Sequence, residues 1–99
     1  IKMLGKQDKG FVLFVEGGRI DHGHHDDQAH YALDETQQFS EAVQKAADMT
    51  KEEDTLIVVT SDHAHTMSMA GYAARGNDVF QFAGTSKMDN MKYTTLSYA

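Results

Sequence analysis

Several features that would define a fold or a compartment are missing from this 99-residue sequence. It contains no cysteine, so no disulfide can form within it, and cysteine usage does not report a redox compartment. No apolar run is long enough to span a membrane, and there is no signal-peptide or lipidation motif. Asn77 and Asn90 lack a hydroxyl residue two positions later, which excludes N-linked glycosylation.

Basic residues are also scarce. Nine lysines and arginines face fifteen aspartates and glutamates, so the formal net charge is −6. A chain of this charge is a poor partner for nucleic acid, because phosphate contacts need a basic surface. The same charge opposes binding of a phosphate ester, unless bound divalent cations supply the positive charge.

Two short apolar runs flank one amphipathic segment. Residues 11–15 and 55–60 are continuous runs of β-branched, aromatic and aliphatic side chains, typical of strands buried on both faces of a parallel sheet. Between them, residues 28–49 carry apolar side chains at three- and four-residue steps, which predicts a helix. The fold class is therefore α/β, with a crossover helix joining two strands of a partial parallel sheet.

The rest of the chain has weaker signals. Residues 79–82 suit a further strand, residues 85–92 a loop, and residues 93–98 an extended segment.

The histidines are concentrated in two clusters. All six lie between positions 22 and 65, and five of them fall within the segments 16–25 and 61–65. Each cluster begins where a predicted strand ends, and ligands of parallel α/β sheets bind outside the carboxyl ends of the strands. We therefore expect both clusters to lie at one edge of the sheet and to form one site.

The residue types in these clusters suit metal ions. Asp21 and His25 are four positions apart, which places both on one face of a helical turn, and their oxygen and nitrogen suit zinc. Asp62 and His63 are neighbours, so both can reach one ion only if the chain has left the strand. Glu16 offers only oxygen, which better suits magnesium. The alternative is a solvated loop that binds metal incidentally.

Two stretches of the sequence, each a predicted strand with the cluster that follows it, resemble a known family. Residues 11–25, FVLFVEGGRIDHGHH, and residues 54–65, DTLIVVTSDHAH, are similar to the two metal-binding segments of animal-type alkaline phosphatases. The stretch that follows is resembled by residues 71–72, 75–77 and 93–99. The resemblance implies that residues 1–99 are an internal portion of a single three-layer α/β/α domain.

The same resemblance implies a ligand set for two zinc ions and one magnesium ion. The implied ligands are Asp21 and His25 for the first zinc, Asp62 and His63 for the second zinc, and Glu16 for magnesium. His22 resembles a histidine close to bound phosphate. His65 resembles a residue that orients the metal ligands without binding metal itself.

The family activity is hydrolysis of phosphate monoesters at alkaline pH through a phosphoserine intermediate. The serine nucleophile lies in an Asp-Ser-Ala context, which none of the five serines here has, so no catalytic nucleophile is present. We therefore predict that the isolated chain is inactive. The resemblance further implies a homodimer outside the cell, held at the membrane by a glycolipid (GPI) anchor.

Other functions remain open from the sequence. The chain could belong to another metallohydrolase of the same superfamily, such as a phosphodiesterase or a cofactor-independent phosphoglycerate mutase, although the string from Glu16 to Asp21 argues against these. It could also come from a non-enzymatic metal-binding module, or from a surface protein used as a receptor.

Overall fold

The middle of the chain forms a helical hairpin. The computed structural model describes all residues from 1 to 99, and it begins with one 3₁₀ turn at Leu4–Lys6. The first α-helix, α1, spans Gly18–His25, and the second, α2, spans Ala29–Asp48. Asp27, in the short connection, has a φ of 55°, a left-handed conformation that aspartate tolerates better than most residues. The long helix predicted from the sequence is thereby confirmed.

A glycine allows the two helices to touch. Gly23 of α1 is buried, and a Cβ atom there would lie 2.9 Å from both the backbone nitrogen of Ala32 and Cδ1 of Tyr31. Ala32 is completely buried. The Gln28 N–H closes the hairpin by donating to the Gly23 carbonyl over 2.8 Å. This contact fixes the orientation of α1, and with it the direction of the acid and histidine side chains that α1 carries.

The C-terminal part of the chain contains four short strands in two antiparallel pairs. Strand β1 (Met67–Met69) pairs with β4 (Leu96–Tyr98), and Met67 lies opposite Tyr98. Strand β2 (Phe82–Thr85) pairs with β3 (Lys92–Thr94). The β1–β4 register carries Tyr98 to the segment that directly follows the second histidine cluster.

Thr95 connects the two strand pairs. Its N–H and its hydroxyl both donate to the Gln81 carbonyl, each over 3.1 Å, and its own carbonyl accepts from the Ala70 N–H over 2.9 Å. It is one of only three buried residues in the chain. The extended segment predicted at residues 93–98 is therefore two strands that are interrupted by a buried junction residue.

The two predicted parallel strands are not paired in the structure. Residues 11–15 and 55–60 make no backbone–backbone hydrogen bonds, although both segments and α2 line a cavity of about 780 Å³. Strands of one sheet lie about 4.8 Å apart and exchange such bonds, so these segments are not sheet neighbours here. Val12 and Phe14 are 94% and 96% exposed, whereas Leu13 is 46% exposed. This alternation is that of an extended chain with one face towards the helix. The parallel sheet stays a prediction.

Neither helix is both long enough and apolar enough to cross a lipid bilayer.

Candidate metal centre

Helix α1 brings the first acid–histidine pair together. Asp21 and His25 are one helical turn apart, and His25 Nε2 lies 3.5 Å from Asp21 Oδ2. Two ligand atoms on one tetrahedral zinc ion lie about 3.3 Å apart, given bonds of about 2.0–2.1 Å. The separation of this pair therefore suits a shared ion.

A bend after residue 60 brings the second pair together. The Ser61 hydroxyl donates to the His63 carbonyl over 2.6 Å, which curls the chain and lets two consecutive side chains face the same region. His63 Nε2 then lies 3.3 Å from Asp62 Oδ2. His63 Nδ1 is 3.0 Å from the Ala64 carbonyl, which can only accept, so Nδ1 carries the proton. In neutral His63, Nε2 is thus free to bind a metal ion.

The two clusters meet in space. His63 Nε2 lies 3.6 Å from Asp21 Oδ1, although the two residues are far apart in the sequence. The structure thus brings together the four residues that the sequence suggested as zinc ligands, Asp21, His25, Asp62 and His63. Most of them are open to solvent, with side chains that are 35%, 67%, 85% and 54% exposed, respectively.

His65 approaches the same carboxylate in a different way. Its Nε2 lies 2.7 Å from Asp21 Oδ1, and its side chain is only 16% exposed. Asp21, His25 and His65 have ligand atoms within 4.8 Å of one another and could form a three-ligand group. However, 2.7 Å is a hydrogen-bond length and is shorter than the separation of about 3.3 Å expected for two ligands of one zinc ion. We therefore interpret His65 as a donor that holds Asp21.

Three imidazole rings surround the ring of His65. His24 stacks on it, with centroids 4.9 Å apart and planes at 27°, and His25 meets it edge-on at 4.8 Å. The ring of His63 lies 5.2 Å away at 61°. The rotamer of His65 is thus constrained from several sides, which in turn limits where it can hold Asp21.

The electrostatics of the cluster favour an ionised carboxylate. The hydrogen bond from His65 lowers the pKa of Asp21, and the charges of the nearby histidines add to this effect. The hydrogen bond to the Ala64 carbonyl raises the pKa of His63, with a further contribution from Asp62. Burial lowers the pKa of His24, which favours its neutral form.

The two other candidate residues lie outside this network. Glu16 is exposed, and its carboxylate rests against Gly18 at the start of α1, with no hydrogen bond or ion pair. His22 is also exposed and makes no side-chain hydrogen bond. Their suggested roles with magnesium and with phosphate remain predictions.

Two residues of the cluster were not singled out from the sequence. His24 stacks on His65, and its Nδ1 shares a hydrogen bond of 3.0 Å with the hydroxyl of Tyr98. The dense run of histidines at positions 22–25 could have drawn attention to His24. No local signal could have found Tyr98, because its contact depends on the pairing of β1 with β4.

Two acid–histidine pairs at these separations define a candidate centre for divalent metal ions, so the class of protein to consider is one that binds metal. The family model described as "Alkaline phosphatase" matches residues 1–99. The chain belongs to the alkaline phosphatase family, which confirms the resemblance inferred from residues 11–25 and 54–65. Family membership together with the ligand cluster implies metal cofactors.

Animal proteins are among the relatives that the chain matches. It is 50% identical to "Membrane-bound alkaline phosphatase" of Bombyx mori over 98 residues, which are 99% of this chain and 18% of that protein. It is 48% identical to "Alkaline phosphatase, tissue-nonspecific isozyme" of Rattus norvegicus over 99 residues, which are 99% of this chain and 19% of that protein. The mouse counterpart is 46% identical with the same coverage. The chain thus spans slightly less than one fifth of the length of these relatives.

Proposed function

We propose that this chain is an internal portion of a single alkaline phosphatase domain, and that the complete protein hydrolyses phosphate monoesters. The observation that carries the proposal is the convergence of two acid–histidine pairs in a chain that matches the family over its whole length. The names of the relatives support the reaction, because each is an alkaline phosphatase.

The proposed site holds two zinc ions and one magnesium ion. Asp21 and His25 hold the first zinc, Asp62 and His63 hold the second, and Glu16 contributes to magnesium binding. Bound zinc supplies a Lewis acid and lowers the pKa of coordinated water towards about 7. The separations of 3.5 Å and 3.3 Å within the two zinc pairs support this assignment.

Other residues of the chain position these ligands. The His65 imidazole donates to Asp21 Oδ1 and leaves Oδ2 facing His25, so it selects the oxygen that is presented to an ion. The Ala64 carbonyl keeps the His63 proton on Nδ1, and this leaves Nε2 of His63 as the nitrogen presented to an ion. We place His22 beside the bound phosphate. The nucleophile is a serine outside this chain, and the intermediate is a phosphoserine.

The remaining architecture follows from the same proposal. Residues 11–15 and 55–60 present apolar side chains on both faces and have free backbone hydrogen-bonding groups. We propose that they become strands of a parallel sheet in a three-layer α/β/α domain, with α2 on one face. We further propose a homodimer that a lipid anchor holds at the cell surface; of these features, the name of the silkworm relative, "Membrane-bound alkaline phosphatase", supports only the membrane location.

The decisive experiment uses the full-length protein that contains this chain. Purified protein is assayed for hydrolysis of 4-nitrophenyl phosphate and for bound zinc. We expect zinc-dependent turnover, and we expect Asp21→Ala to reduce both zinc content and turnover by more than about 100-fold, since it removes a ligand and an acceptor for His65. Asp34→Ala, which removes an exposed carboxylate of α2 without a contact, is the matched control and should leave both unchanged.

The rival functions predict different outcomes. Faster cleavage of bis(4-nitrophenyl) phosphate than of the monoester would indicate a phosphodiesterase. Zinc binding without any turnover would indicate a non-enzymatic module. Full activity of the Asp21→Ala protein would contradict the proposed ligand set itself. A receptor role would be compatible with an intact active site and would need a separate binding partner.

A further inference from the structure

Tyr98, near the end of this chain, forms a hydrogen bond with the histidine cluster. The pairing of β1 with β4 sets Tyr98 opposite Met67, two positions after His65. The Tyr98 hydroxyl then lies 3.0 Å from His24 Nδ1, and the two rings are 5.9 Å apart. Strand β4 is thereby tied to helix α1 across 74 positions of sequence.

His24 transmits this contact to the metal ligands. Its ring stacks on His65 at 4.9 Å, and the planes differ by only 27°. His65 in turn donates to Asp21 Oδ1 over 2.7 Å. His24 makes no hydrogen bond or ion pair with a carboxylate, so its steric influence on Asp21 passes through the orientation of the His65 ring. The connection runs from Tyr98 to His24, to His65 and to Asp21.

We propose that Tyr98 is a positioning residue for the first metal site: its hydroxyl fixes the His24 ring, which holds His65 at the angle needed to orient Asp21. This inference rests on the proposed function, because it concerns the same metal centre. The inference adds Tyr98, which is not a metal ligand, to the residues that shape the site. His24, His65 and Tyr98 are partly buried, whereas three of the four proposed ligands are exposed, which suits the first group to a structural role around the site.

The geometry explains why a tyrosine suits this position. The hydroxyl can donate to or accept from an imidazole nitrogen, so it adapts to either tautomer of His24. Because its ring is rigid, Tyr98 on β4 can hold His24 on α1 at little cost in side-chain entropy. Phenylalanine at this position would keep the packing but would lose the hydrogen bond.

The test uses the full-length protein loaded with zinc and, separately, with cobalt as a spectroscopic substitute. Zinc loss to an excess of chelator is measured for Tyr98→Phe and for Tyr93→Phe. The Tyr93 hydroxyl also donates a hydrogen bond, to the Gly71 carbonyl over 3.5 Å and not to a residue of the histidine cluster, so it is the matched control. We expect Tyr98→Phe to lose zinc about tenfold faster, near the lower limit for groups that orient a ligand, and Tyr93→Phe to match the wild type.

The cobalt protein reports geometry directly. We expect the visible absorption of the cobalt ion to change in Tyr98→Phe and to stay unchanged in Tyr93→Phe. A double-mutant cycle tests the route through the histidine: in a His24→Ala background, Tyr98→Phe should have no further effect on zinc loss. The thermal midpoint of the metal-free variants shows whether each one folds.

The outcomes separate this inference from the proposed function. If the wild-type protein binds no zinc, the proposed function fails. If it binds zinc but Tyr98→Phe has the wild-type rate and cobalt spectrum, the positioning role is wrong. Independent, additive effects of Tyr98→Phe and His24→Ala would also overturn it, because they would show that the tyrosine does not act through this histidine.

Discussion

Among single residues outside the candidate metal centre, Asp89 has a well-defined local role. Its Oδ1 accepts from the Met91 N–H over 3.0 Å in the loop that joins β2 to β3. This hydrogen bond, together with one from Ser86, lowers the pKa of Asp89. A lowered pKa in the folded state means that the ionised carboxylate stabilises the loop above its ordinary pKa. That contribution is lost as the pH falls through the folded value.

We therefore predict that the loop loosens only under strongly acidic conditions. In full-length protein labelled with ¹⁵N-methionine, the Met91 amide should follow a titration with a midpoint below the ordinary aspartate value of 3.8. Asp89→Asn should abolish this titration. A midpoint at or above the ordinary value would show that the carboxylate does not hold the loop.

A residue of the site could be predicted where the nearby sequence alone indicates its role, and not where its role depends on tertiary contacts. The residue types at Asp21, His25, Asp62 and His63 are visible in the sequence, and the expectation that they meet came from a parallel sheet that is itself still a prediction. The partnership of His24 with Tyr98 was not predictable. It needs the register of β4 against β1 as well as the packing of α1, and no short-range pattern encodes either.

At the scale of secondary-structure elements, the contact between α1 and α2 depends on Gly23. An alanine Cβ at this position would lie 2.9 Å from the Ala32 backbone nitrogen, which cannot turn away as a side chain could. Alanine also favours helix over glycine by about 0.8–1 kcal/mol. The steric cost of overpacking, about 1–3 kcal/mol, outweighs this gain and would displace α1.

We predict that Gly23→Ala lowers the thermal midpoint of the full-length protein and weakens zinc binding, because α1 carries Asp21 and His25. Gly5→Ala is the control, since a Cβ at Gly5 meets nothing within 4 Å. Differential scanning calorimetry and zinc titration measure the two effects. A Gly23→Ala protein that is as stable as the Gly5→Ala protein would show that the helices can separate without cost.

The elements differ in how much of them the sequence reveals. Helix α2 was predicted at residues 28–49 and is observed at Ala29–Asp48, because its apolar side chains repeat with helical spacing over five turns. In α1 the sequence indicated only a helical turn. Its eight residues include two glycines and three histidines, which have modest helix propensity, so tertiary packing against Ala32 decides its conformation. A strand was predicted at residues 79–82, but β2 begins at Phe82.

The molecule as a whole is extended. Its radius of gyration is 19.2 Å and its dimensions are 66 × 26 × 16 Å. A compact domain of 100 residues has a radius of gyration of about 13 Å. Only three residues are buried, and of these only Ala32 is a hydrophobic core residue. The interactions described above are therefore local contacts without a common hydrophobic core.

We predict that the isolated chain has no cooperative thermal transition as a monomer and does not hydrolyse 4-nitrophenyl phosphate. The first expectation follows from the small buried area, and the second from the missing serine nucleophile. Calorimetry and a zinc-supplemented activity assay measure both. A sharp monomeric transition would disprove the first expectation, and measurable zinc-dependent turnover would disprove the second.

The unpaired segments on either side of α2 also affect how the chain behaves at high concentration. Residues 11–15 and 55–60 combine free backbone N–H and C=O groups with outward-facing side chains such as Val12, Phe14 and Leu56. Such segments can add to one another edge to edge between molecules, and neither contains a proline or an internal charge to prevent it. These segments therefore promote aggregation of the chain wherever no neighbouring strand covers them.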